Sequence, residues 1–363
     1  MLKPCMLYIH IPFCARKCAY CDFVSYAGSQ GRMHDYVSAL IREMDARRTP
    51  QTVTSVFLGG GTPSLLPAEE LARLLEAVKE RYALAPRCEI TSECNPGTVT
   101  RAWLKAAVEG GVNRLSVGVQ TVQSELLKKI GRIHDFEQVK ETFRLAREMG
   151  ISNLSADLMY ALPGQTKEMW VQSLEEMMTL QPQHLSCYAL IVNEDTPFGA
   201  LEAKGLLPRP DEDEEMEMQD ITAQVLSRHG FYQYEVSNYA KPGFACRHNV
   251  GYWTRRDYIG LGCAAHSLEG NVRRANVCGL EDYIGGAAFE SEEMLNAQDA
   301  AFEELMLGLR MVEGVEITPY AMELFAEKLK KQEERGLLTR NERHVKLTKR
   351  GFDVMNAVLA EMM

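Results

Sequence analysis

No apolar stretch in this 363-residue chain approaches the roughly 18 residues that a membrane-spanning helix requires, so helical spans are not expected. Basic charge is in short supply. The 40 Lys and Arg stand against 50 Asp and Glu, a net charge of −10, which argues against a broad phosphate-binding face and against nucleic acid as a partner. Low-complexity tracts and solenoid-type repeats are missing too. With 46% hydrophobic and 25% charged residues, the composition is that of an ordinary globular protein rather than a disordered, collagenous or coiled-coil one. The opening residues, MLKPCMLYIHIPFC, lack the basic, apolar and small-residue blocks of a secretory signal, so the expected compartment is the cytoplasm.

Cysteine, in contrast, is plentiful, with ten residues. In a reducing compartment most of them are expected as small buried hydrophobes, but Cys14, Cys18 and Cys21 are too tightly grouped for that role. They form CARKCAYC, a C-x3-C-x2-C cluster directly after the first apolar run. Thiolates at these spacings converge on one metal centre, and three of them leave one coordination position open for a ligand. A structural zinc site completed by a residue such as His10 is the alternative. Arg16, Lys17 and the loop amides favour the thiolate state.

Up to about residue 190 the chain repeats a short β-rich apolar run followed by a capped amphipathic helix, the grammar of parallel βα units. Six runs are predicted as strands, at 6–11, 53–58, 89–93, 114–119, 154–159 and 185–190. Pro67, Thr100, Asp135 and Thr166 stand at helix starts, Gly110 and Gly150 at helix ends, and Leu71, Leu74, Leu75 and Val78 form one apolar stripe. Six such units either spread as a doubly wound sheet or curl into a barrel. After residue 210 an acidic run opens a helix to about Arg228, followed by a strand at 232–236 and a Gly- and aromatic-rich region. From 297 onward two helices, GLLTRNERHVKLTKRG and a last helix suggest a small winged-helix unit. The expected domains are therefore 1–210, 211–290 and 291–363.

Ligands of parallel α/β folds lie at the carboxyl ends of the strands, where this chain places one polar element after another. The second run enters Gly59-Gly60-Gly61-Thr62, whose missing side chains allow close backbone approach and whose amides are placed to accept a ligand's charge. The third ends at Glu93 and the fourth at Gln120, and the fifth contains Asp157.

YIHIPFCARKCAYCDF resembles the cluster motif of radical S-adenosylmethionine (SAM) enzymes. That resemblance implies a full or partial (β/α) barrel, and a 4Fe-4S cluster on three cysteines with SAM chelating the unique iron. Together with FLGGGTPS, SECNP, SVGVQ, IGRIHD and DLMYALPGQT, the motif resembles the oxygen-independent coproporphyrinogen III oxidase superfamily. The fold implied is a partial (β/α)6 barrel of TIM type, with an accessory α+β segment and a C-terminal winged-helix-like domain. Carried over position by position, Cys14, Cys18 and Cys21 would hold the cluster. Tyr8, Tyr20, Gly60 and Glu93 would contact SAM, and Gly61, Thr62, Gln120, Arg132 and Asp157 match positions contacting SAM or a second SAM.

Two departures from the oxidase stand out: only seven residues precede Tyr8, and position 23 is Phe where the oxidase has a further cysteine. CRHNVGYW, at 246–253, is instead similar to the HNxxYW motif of the HemW heme chaperones in the same superfamily. This implies heme as cargo, apo-hemoproteins such as respiratory enzymes as recipients with a peripheral membrane contact open, and SAM cleavage as an undecided activity. The alternative is the oxidase itself, which decarboxylates propionates through a 5′-deoxyadenosyl radical. A neutral imidazole such as His248 is a competent heme ligand, and Tyr252 and Trp253 are faces on which a porphyrin can stack. Cys246 and His266 are alternative ligands, and no apolar stripe specifies an oligomer.

Overall fold

The computed structural model describes residues 3–287 and 289–363. The six apolar runs become six strands: β1 (Cys5–Ile11), β2 (Val53–Gly60), β3 (Leu84–Cys94), β4 (Arg114–Gln120), β5 (Asn153–Tyr160) and β6 (His184–Ala189). They lie side by side in chain order, every neighbour parallel. A doubly wound sheet reverses its order at a switch point, so this sequential order selects the barrel alternative. The barrel is partial because the sheet continues outward on both flanks, to twelve strands among the described residues. Beyond β1 run Tyr258–Leu261, parallel to it, and then three antiparallel strands ending in Phe289–Met294. Beyond β6 run Asn238–Ala240 and Tyr232–Gln233. The strand expected at 232–236 is thus cut to two residues. The chain turns back there, with the Glu235 carboxylate accepting from the Ser237 amide and from Asn238.

Local chemistry explains the helices between the strands. Thr100, Asp135 and Thr166 accept hydrogen bonds from the amides of Trp103, Gln138 and Met169 at three helix starts, and Asp135 and Gln138 complete a capping box. Pro67 precedes Ala68–Arg81, whose Leu71, Leu74, Leu75 and Val78 are all buried. One helix end shifts by a residue from the sequence expectation. Gly110 is still helical and packs on Leu75, while Gly111 takes the left-handed turn at φ 97°.

Alternation along the strands separates two environments. Leu7, Ile9, Val56, Leu58, Ile90, Leu115, Val117, Leu154, Ala156 and Leu185 belong to the main apolar core. The intervening positions form a polar set: Ser55, Glu89, Thr91, Arg114, Ser116, Ser155 and His184 are all buried polar residues. Some of them pair across strands, as in Ser116 to Asp157 and Ser155 to His184, whereas Thr91 Oγ1 and Arg114 Nε have no partner. The barrel therefore has a partly hydrogen-bonded polar lining on this face.

Downstream, helices Ala297–Gly308, Pro319–Leu324 and Ala326–Glu334 pack on a three-stranded sheet of Val315–Glu316, His344–Leu347 and Leu338–Arg340, the winged-helix arrangement. Leu305, Leu309, Ile317, Leu329 and Val345 form a separate core for this unit. It meets the barrel through Glu303, which pairs with both Arg255 and Arg273. Among the described residues no helix is long and apolar enough to cross a membrane.

Candidate functional site

The cysteine cluster sits in the loop that follows β1, and backbone pairing fixes that loop from several sides. Phe13–Cys14 pairs in parallel with Tyr26–Ala27. The Ala19 amide donates to Ile130 O at 3.0 Å, and its carbonyl accepts from the Phe198 amide at 3.0 Å. The result is a single pocket at the carboxyl ends of the strands. Cys14, Cys18, Cys21 and Tyr20 line it together with Gly60, Gly61, Thr62, Glu93, Gln120, Arg132 and Asp157. All three cysteines are half-buried and free. Among the described residues no three His, Cys, Asp or Glu side chains stand close enough to share a single ion.

The expected residues take distinct roles. Arg132 donates Nη2 to Gly118 O at 2.8 Å and Nη1 to Cys18 Sγ at 3.9 Å, while its buried Nε has no partner. Thr62 Oγ1 reaches Cys14 Sγ at 3.7 Å and accepts from Asn95 Nδ2 at 2.8 Å. Gln120 holds a left-handed backbone, φ 68°, at the tip of β4, and its Oε1 accepts from Tyr188 Oη at 3.2 Å. A non-glycine residue in that region at a strand end is local strain of the kind that marks binding sites.

Two carboxyls face each other in electrostatic opposition. Burial and then the nearby Asp157 push Glu93 up to about 7, while the Gly60 amide, Arg132 and Arg114 pull the other way. Asp157 is likewise raised by burial, against hydrogen bonds from Ser186 and Ser116 and the charge of Arg114. Arg114 is 1% exposed and is the buried cation that offsets these groups and Glu89. Sequence reasoning missed Arg114, and also Asn95, Ser116 and Tyr188 in the pocket wall. The period-2 alternation of RLSVGVQ, which puts Arg114 and Ser116 on one face, was the signal available.

Three expected roles meet a local geometry that the sequence does not show. First, the glycine loop offers no free amides. Gly60 N donates to Glu93 Oε2 at 3.0 Å, Gly61 N to Ile11 O at 2.9 Å and Thr62 N to Phe13 O at 2.8 Å. The glycines instead permit close packing on the cysteine loop, since a Cβ on Gly61 would stand 2.7 Å from Ile11 O and 2.8 Å from Phe13 O. Second, Tyr8 is outside the pocket wall, and His10 is not placed as a zinc ligand. His10 Nε2 donates to Val24 O at 2.8 Å, which leaves Nδ1 to accept from Tyr8 Oη at 2.9 Å.

Third, the His248 segment is a core element. His248 is 1% exposed, with Nδ1 on Ser55 Oγ at 2.9 Å and Nε2 on Tyr252 Oη at 3.1 Å, so this arrangement leaves no ring nitrogen free for iron. Burial, with Arg114 nearby, lowers its pKa to about 3. The Tyr252 ring meets His248 and Tyr258 edge-on, and the Arg310 guanidinium covers Trp253 at 4.8 Å. Cys246 is buried with its thiol on Glu89, and His266 is exposed on an outer strand.

Three thiols on one loop, at the carboxyl end of a sequential parallel barrel and ringed by strand-end polar groups, define a protein of the radical SAM class. Residues 8–177 match the radical SAM superfamily and residues 295–354 the HemN C-terminal domain. The chain belongs to the HemW family within that superfamily. It is 34% identical to the heme chaperone HemW of Lactococcus lactis over 99% of this chain and 98% of that protein. With HemW of Bacillus subtilis it shares 37% identity over 98% of this chain and 99% of that one. In fold it is similar to the Escherichia coli coproporphyrinogen III oxidase HemN, a radical SAM enzyme. That likeness has a TM-score of 0.86 and 23% identity, covering 99% of this chain and 90% of the other.

Proposed function

We propose that the chain is a heme chaperone: it holds a 4Fe-4S cluster and SAM at the cysteine pocket, binds heme, and delivers it to apo-hemoproteins, respiratory enzymes among them. The observation that carries this reading is the gathering of Cys14, Cys18 and Cys21 with Glu93, Asp157, Gln120 and Arg132 around one pocket. It occurs in a chain 34–37% identical, over nearly its full length, to proteins named heme chaperones.

The residues present fit the cofactors. Three thiols on one anchored loop supply three ligands and leave the fourth iron to an external chelator. When bound, a reduced cluster supplies the electron that cleaves a carbon–sulfur bond of SAM. The chain's own groups bind and orient. Arg132, kept charged beside Cys18, has an unpartnered Nε with which to take a carboxylate. Glu93, once ionised, takes an ammonium or the ribose hydroxyls. Tyr20 gives the adenine a flat neighbour.

Phe23 is 61% exposed at the rim of the pocket, where the oxidase resemblance calls for a cysteine, so this chain lacks a thiol at that point. The test is anaerobic reconstitution with iron and sulfide, then a heme titration in parallel with a coproporphyrinogen turnover assay containing SAM and dithionite. Stoichiometric heme binding without turnover is expected. Turnover with stoichiometric 5′-deoxyadenosine would overturn the chaperone reading in favour of the oxidase.

A further inference from the structure

A second hollow lies at the other end of the barrel, where β2 and β3 begin. It is an open cavity of about 550 Å³, walled by Ala85, Pro86 and Val250 and rimmed by Arg87, Arg247 and Arg256. None of these three arginines has a carboxylate within 4.0 Å among the described residues, although the neighbouring Arg255, Arg273 and Arg274 are all paired. In a chain of net charge −10, three unpaired guanidiniums around one hollow are a local reversal of sign.

The arrangement is partly fixed. Arg247 Nη1 donates to Arg87 O at 2.8 Å, which ties the helix Arg247–Trp253 to the start of β3 and leaves the rest of its fork free. Glu89 is the acid in direct contact with this helix, and it is buried. Its Oε1 already accepts from the amides of Arg247 and His248 and from the Cys246 thiol. The rim is therefore cationic and the wall apolar.

We infer that this cavity binds a compact amphipathic dianion, and, resting on the heme-chaperone reading above, that its ligand is the propionate edge of heme. Guanidinium forks match carboxylates bidentately, and the volume falls in the range of small-molecule sites. The apolar wall suits the edge of a porphyrin better than bare phosphate. A nucleic acid requires a basic stripe, and three arginines around one hollow do not form one. Cargo and cysteine pocket would then lie at opposite ends of the strands.

The test uses the full-length protein and three probes: heme, heme dimethyl ester, which lacks the propionate charges, and inorganic phosphate as competitor. Heme is expected to bind the folded triple variant Arg87→Ala, Arg247→Ala, Arg256→Ala at least about tenfold more weakly, and the ester to bind the native protein as weakly as that. Should the triple variant not fold, the exposed single changes Arg87→Gln and Arg256→Gln are each expected to weaken heme by roughly threefold. Folded variants that bind heme with native affinity would overturn this location and leave the chaperone reading intact. Native protein that binds phosphate through these arginines but not heme would overturn the heme assignment and that reading together. Binding of neither probe would overturn the anion site as well.

Discussion

Glu93 Oε2 accepts a hydrogen bond from the Gly60 amide at 3.0 Å, so the tip of β3 is tied to the glycine loop leaving β2. That loop in turn supports the cysteines, because Gly61 and Thr62 donate to Ile11 and Phe13 at the end of β1. The acidic group and the thiol loop are thus parts of one framework.

Gly61→Ala is expected to lose the cluster although all three thiols remain. Its Cβ meets backbone atoms of Ile11 and Phe13, which cannot rotate aside as a side chain would, so the loop must move. Iron and sulfide content after anaerobic reconstitution should fall as far as in Cys18→Ala, with both variants still folded by circular dichroism. Full iron and sulfide in Cys18→Ala would refute the cluster assignment.

Glu93 predicts a pH dependence whose sign is fixed. Its folded pKa of about 7 lies above the ordinary 4.5, so its stabilising contribution is full below about 4.5 and lost as pH rises through about 7. Against Glu93→Gln, the apo protein should lose roughly 3 kcal/mol across that window, read by urea unfolding at several pH values. SAM affinity should run the opposite way, rising through pH 7 as the carboxylate forms for the ligand's ammonium. The glutamine variant should bind SAM weakly and without pH dependence; a native profile in that variant would remove Glu93 from the SAM site.

His248→Ala is expected to act on stability. It removes hydrogen bonds to Ser55 and Tyr252 and leaves a void against Phe57, which stacks on the imidazole at 5.2 Å between centroids. A loss of about 2–4 kcal/mol follows from the void and the stranded hydroxyls. The heme-bound Soret band should keep its position in the folded variant. A shifted band would mean that the imidazole leaves its core partners to bind iron.

Arg114→Leu should destabilise the barrel by roughly 1–3 kcal/mol, because the buried Glu89 and Asp157 lose the nearby positive charge that offsets them. Arg114→Lys should recover part of the loss. Equal stability of the leucine variant and the native protein in denaturant would show that water already screens these carboxyls.

Much of the barrel was legible because its determinants are local. Thr100, Asp135 and Thr166 cap helices by reaching amides three residues ahead, and such chemistry is written in a short window. The thiol spacing and the strand-end carboxyls were legible for the same reason. The rest depends on contacts that no window contains. Ser55 and His248 are 193 positions apart, so nothing in HNVGYW alone reveals that both imidazole nitrogens are engaged. The glycine amides likewise looked free in sequence because their acceptors, Ile11 and Phe13, belong to another strand end. Arg114 sits at the start of a strand, where arginine is ordinarily solvated, and only the polar lining of the barrel explains its burial.

The pairing of β1 with Tyr258–Leu261 also bears on how the protein is made. During synthesis β1 acquires β2 as a neighbour early, but its other edge waits for a partner some 250 residues downstream. At ordinary elongation rates that interval is on the order of 10–50 s. Throughout it, the edge of CMLYIHI carries unsatisfied amides and carbonyls, which invites pairing with another nascent chain. A stalled or truncated product ending before 258 would keep that edge permanently, so early termination is expected to yield aggregates rather than a smaller soluble barrel.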